Sequence, residues 1–83
     1  MNHDAVLFHL KEASEELHQA IAEMGKDASY GPDDLRKTLG HLYHHLNTAW
    51  NGRDCTRAEF ENGTEKNYLK WRKFPKKGEF FSE

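Results

Sequence analysis

Leucines at alternating three- and four-residue steps constrain this chain more than any other feature. Leu35, Leu39, Leu42, Leu46 and Ala49 follow that spacing. So do Leu7, Leu10, Leu17, Ile21 and Met24, with Ser14 at the one polar position of the series. A period near 3.5 lays an apolar stripe along a helix and suits two helices running side by side. Strands lack material, since the chain holds one valine and one isoleucine.

Local signals place the helix ends. The first helix is expected from His3 to Met24, with Asn2 as N-cap, Asp4 complementing the helix dipole and Gly25 as the C′ residue. Val6, Ala13 and Ala20 widen its stripe, while Lys11, Glu12, Glu15, Glu16 and Glu23 fill the outer face. The second helix starts at Gly31-Pro32, with Asp33 and Asp34 in its first turn, and stops near Trp50 at Asn51-Gly52. Tyr43 and Trp50 extend its apolar arc along one flank. A short connection makes the pair an antiparallel hairpin.

Beyond the hairpin, Thr56 and Glu59 have capping-box spacing, and Asn62-Gly63 closes that turn of helix. Thr64 can cap another short helix through Tyr68, Leu69 and Trp71, and Pro75 disfavours helix at Phe74. The expectation is therefore one all-α domain. It comprises a hairpin over 3–50, a short helical or extended aromatic segment over 51–75 and a frayed tail over 76–83. The arc of the second helix is wider than one neighbour covers. Either the aromatic segment folds back as a lid, or two hairpins pair into a four-helix bundle dimer.

Size favours outside help. A chain of 83 residues buries a thin core and often relies on a metal, disulfides or a second subunit. Cys55 is the single cysteine, so no internal disulfide can form, which fits a reducing compartment. No basic stretch followed by an apolar run opens the chain, and no segment approaches the ~18 apolar residues of a membrane span. A cytoplasmic protein with no membrane partner is expected.

The histidines carry the one metal-like spacing. His41 and His45 lie four residues apart on one side of the second helix, where two imidazoles can reach one ion and Glu12, Glu15 or His18 can join them. Zinc or iron would suit such ligands. No His-Glu-x-x-His motif accompanies them, and histidine on an outer arc is also ordinary surface. Structural or solvated histidine is the favoured reading, and no cofactor is assigned. Cys55 lies between Arg53 and Arg57, whose charges can lower a thiol pKa, but no base is identified beside it.

Charge is uneven. Residues 1–55 hold nine acids and five Lys or Arg, a balance of −4, whereas 56–83 hold five acids and seven Lys or Arg, a balance of +2. Lys66, Lys70, Arg72, Lys73, Lys76 and Lys77 are interleaved with Tyr68, Trp71 and Phe74. Such a run can bind single-stranded nucleic acid through phosphate contacts and base stacking. It can equally dock its rings on the acidic hairpin or on another protein. Overall acidity disfavours nucleic acid. With no catalytic constellation, a non-enzymatic interaction or regulatory protein is the favoured reading. Its partner is another protein or a second copy, anchored through Tyr43, Trp50, Tyr68, Trp71 and Phe74.

Overall fold

A computed structural model describes residues 1–81 and is all-helical over them. The elements are α1 (His3–Lys26), α2 (Pro32–Asn51), α3 (Arg57–Asn62) and α4 (Glu65–Trp71). Each start has the cap that its sequence marks. Asn2 Oδ1 accepts from the Ala5 N–H at 3.1 Å, and the Asp34 carboxylate accepts from the Gly31 N–H at 3.0 Å. Thr56 and Glu59 cap each other reciprocally, at 3.1 and 3.0 Å. Thr64 Oγ1 accepts from the Asn67 N–H at 3.1 Å.

One end differs from expectation. Helix α1 runs through Gly25 to Lys26, and Asp27 is the C-cap in an extended conformation. The Asp27 carboxylate accepts from the Ser29 N–H at 2.9 Å and the Ser29 hydroxyl at 2.6 Å. This side-chain turn competes with further helix and stops α1. Glycine at position 25 is therefore not the terminator.

Helices α1 and α2 pack antiparallel: His9 meets His45 near one end, and Glu16 meets His41 farther along. The apolar residues buried at their junction are small. Ala5, Ala13, Ala20 and Ala49 are the buried apolar residues, and no large side chain is fully enclosed. The leucine series instead lies to one side. Leu10 and Leu17 are 46% and 48% exposed, and Leu39 and Leu46 are each 38% exposed. At 100° per residue the leucine stripe sits roughly 80° round α1 from the alanine stripe. A similar offset on α2 turns both leucine stripes to the same side. Val6 and Leu10 of α1 accordingly share a shallow hollow with Leu46, Ala49 and Trp50 of α2. The opposite side is polar, with Glu16, Gln19 and Glu23 facing Asp34, Lys37 and His41 across the hairpin.

The C-terminal third covers part of the hairpin. Helix α3 reaches α1 through Phe60, whose ring meets Phe8 edge-on at 5.7 Å. Helix α4 packs on α2. Asn51 donates to the Trp71 and Lys73 carbonyls at 2.8 and 2.6 Å, and Asn47 donates to the Arg72 carbonyl at 3.0 Å. These two amides, one turn apart on α2, satisfy carbonyls that the end of α4 leaves open. The Trp71 ring lies so close to Gly52 that a Cβ there would sit 3.1 Å from Cδ2. Of the tail expected to fray, residues 76–81 turn back on α2, where Trp50 Nε1–H donates to Glu79 and meets the Phe80 ring at 5.0 Å. The rest of that expected tail, 82–83, lies outside the described residues.

Candidate functional site

Three groups of residues with chemical or binding potential emerge: the histidines between α1, α2 and α4, the rings of the lid, and the leucine face.

The expected pair His41 and His45 is split between two partners. His41 Nδ1 lies 3.1 Å from the Glu16 carboxylate, whereas His45 Nδ1 lies 3.3 Å from His9 Nδ1. The residue that sequence reasoning missed is His9. It stands four residues from Ala5 and from Ala13, on the alanine side of α1, and that position is its only sequence signal. Burial, then the neighbouring His45 and His44, lowers the His9 pKa to about 4. The His9–His45 contact is thus a hydrogen bond with a neutral His9 at neutral pH, one nitrogen donating and the other accepting.

His44, expected on an outer arc, is half-buried beneath Tyr68 of α4, with ring centroids 4.7 Å apart. Burial lowers its pKa too, helped by His45, Arg72 and His41. Of the other proposed ligands, His18 Nδ1 lies 2.8 Å from the Ser14 carbonyl on its own helix, where it can donate. Among the described residues, no group of three His, Cys, Asp or Glu side chains is placed to hold a metal ion.

Cys55 sits apart from the charges that could activate it. Its thiol pKa is raised, by burial first and then by Glu59 and Asp54, against a lowering contribution from Asn2. The flanking arginines point elsewhere: Arg53 covers the Trp50 ring at 3.9 Å, and Arg57 pairs with Glu61 at 2.8 Å. A thiol held protonated is a poor nucleophile.

The rings interleaved with bases are spread along α2. Tyr68 covers His44, Trp71 covers Gly52, and Phe74 meets Tyr43 at 5.3 Å. The Trp50 ring lies under the Arg53 guanidinium and meets the Phe80 ring edge-on. Each of the five expected anchors therefore has a partner within the chain, although Tyr43, Tyr68 and Phe74 keep exposed edges. Among the bases, Lys66 and Lys70 are exposed on α4, and Lys73, Lys76 and Lys77 follow it. Arg72 lies 5.4 Å from the Tyr68 ring centroid. Tyr43, Leu46, Phe74, Pro75 and Phe80 line an apolar groove of about 680 Å³, which continues the leucine face through Leu46.

The leucine face has the least company. It is built from both long helices and carries no charged side chain along its stripes, and no other described element covers its middle. Continuous exposed apolar surface of this kind is uncommon on a folded chain. No described helix is long and apolar enough to cross a membrane. No protein-family model, curated protein or solved structure matches the chain.

Proposed function

We propose that this chain is a non-enzymatic helical interaction module of the cytoplasm, acting on another protein or on a second copy through the leucine face of its hairpin. The observation that carries the reading is the offset between the two stripes of each helix. Alanines close the hairpin, which leaves Leu10, Leu17, Leu39 and Leu46 between 38% and 48% exposed on one side. A face of this kind gains free energy only by association, at about 25 cal/mol per Å² of apolar surface covered. The rings expected to serve as anchors are already engaged by α2, so Tyr43 and Trp50 form the border of the surface rather than its centre.

Site-specific photo-crosslinking in the expressing cell tests this. Benzoylphenylalanine in place of Leu17 or Leu39 should give protein adducts, and the same residue in place of Gln19 on the polar side should not. Absence of adducts from both leucine positions would refute the proposal.

A further inference from the structure

We infer that the occupant of the leucine face is a second copy of this chain, giving a two-fold four-helix bundle in which α1 and α2 of each copy form one layer. The inference rests on the reading above that this face is the working surface, and it adds the identity of the partner.

Area comes first. The chain exposes 6636 Å² at a mass of 9.7 kDa. A compact monomer of that mass exposes about 5,100 Å², so the excess is about 1,500 Å². The excess belongs to the molecule as a whole, and an interface that covered all of it on each of two copies would bury about 3,000 Å², within the range of obligate homodimers.

Shape gives the second argument. The molecule measures 43 × 35 × 21 Å. Its thin dimension is about two helix diameters, one hairpin layer and one lid layer. The lid covers the side of the hairpin bearing His44 and Thr48, and the chain after α4 borders the leucine side only at its Leu46 end, leaving Leu10, Leu17 and Leu39 exposed. Helical layers are stable when each apolar face meets another layer.

Complementarity gives the third. The face presents two straight antiparallel stripes side by side, Leu10, Leu17 and Ile21 on α1 and Leu35, Leu39 and Leu46 on α2. A lone partner helix presents one stripe and leaves half of the face wet. A second copy turned about a two-fold axis presents both. The 3.5-residue period keeps such stripes in contact over their length. The acids of α1 line the opposite side, so two chains of net charge −2 meet here without burying like charges.

Sedimentation equilibrium of the purified chain should give twice 9.7 kDa at micromolar concentration. The thermal midpoint should rise with concentration. Leu39→Glu should sediment as a monomer that keeps its helical circular dichroism. Should that variant lose its helices, Leu39→Ala decides. It should fold and weaken the dimer about a hundredfold, because each substitution enters a two-fold interface twice. Monomer mass at high micromolar concentration overturns the inference. So does a Leu39→Ala dimer of unchanged affinity. If the pure chain is monomeric while the Leu17 and Leu39 photo-adducts contain a different protein, self-pairing fails and the interaction-module reading survives. If no adducts form at all, both fail.

Discussion

Gly52→Ala isolates the docking of the lid from everything else in the molecule. Gly52 has φ −98°, so alanine meets no backbone strain there. Alanine would ordinarily stabilise by about 0.4–1 kcal/mol, because it restricts the unfolded chain. Here its Cβ would stand 3.0 Å from the Thr48 carbonyl oxygen, and 3.1 and 3.2 Å from two carbons of the Trp71 ring. The ring cannot retreat freely, since Asn51 holds the Trp71 and Lys73 carbonyls and Asn47 holds that of Arg72. Overpacking of this kind costs about 1–3 kcal/mol. The net loss should be about 1 kcal/mol, which lowers Tm by about 4–8 °C in a domain of this size. Thermal melts by circular dichroism at fixed protein concentration provide the assay, with Trp71→Ala and the double variant completing a cycle. The penalty should shrink in the Trp71→Ala background. A Gly52→Ala protein that melts higher than wild type would refute the close approach of Trp71.

Three further outcomes follow from the same geometry. His9 has a folded pKa of about 4 against an ordinary 6.5, so the unfolded chain takes up this proton first as pH falls. The stability associated with neutral His9 is complete above pH 6.5, is lost as pH falls toward 4, and declines no further below that. The shift caps the loss at roughly 3 kcal/mol, and solvent screening at a half-buried site reduces it to about 1–2 kcal/mol. Urea melts across this window should show a shallower pH dependence for His9→Gln, and an unchanged slope would contradict it. Asn51→Ala should cost about 1 kcal/mol by stranding the part-buried Trp71 carbonyl of the lid, and should weaken the near-ultraviolet signal of Trp71. Retention of both stability and signal would argue against the amide clamp. Thr64→Ala removes the cap of a seven-residue helix and should cost about 1 kcal/mol in the same melts, with no change pointing to a different start for α4.

What the sequence makes legible is what short-range chemistry decides. Asn2, Gly31-Pro32, Thr56 with Glu59, and Thr64 each mark a helix start, because a cap is satisfied within its own turn. The hairpin follows from two helical patterns and a short connection. Which arc of each helix faces the other is a tertiary choice. The apolar arc of α1 spans both leucines and alanines, and close approach of the backbones selects the alanine edge. Ala5, Ala13 and Ala20 recur at eight and seven residues, so a signal for the small-residue junction exists. It is weaker to the eye than the leucines beside it. His9 was missed for the same reason, since its importance comes from a junction that only packing defines. Asn47 and Asn51 likewise lie one turn apart near the end of α2, but their roles depend on where α4 lands. Gly25 misled because the Asp27–Ser29 turn ends the helix two residues later.

Isotope-filtered NOE spectroscopy on a one-to-one mixture of labelled and unlabelled chain reports directly on what touches the leucine methyl groups. Contacts between copies should join Leu10, Leu17, Leu39 and Leu46 of one chain to the same set in the other, while the Ala13 and Ala20 methyls contact α2 of their own chain. Filtered spectra with no cross-peaks from those leucines, or with contacts confined to Phe74 and Phe80, would contradict the bundle.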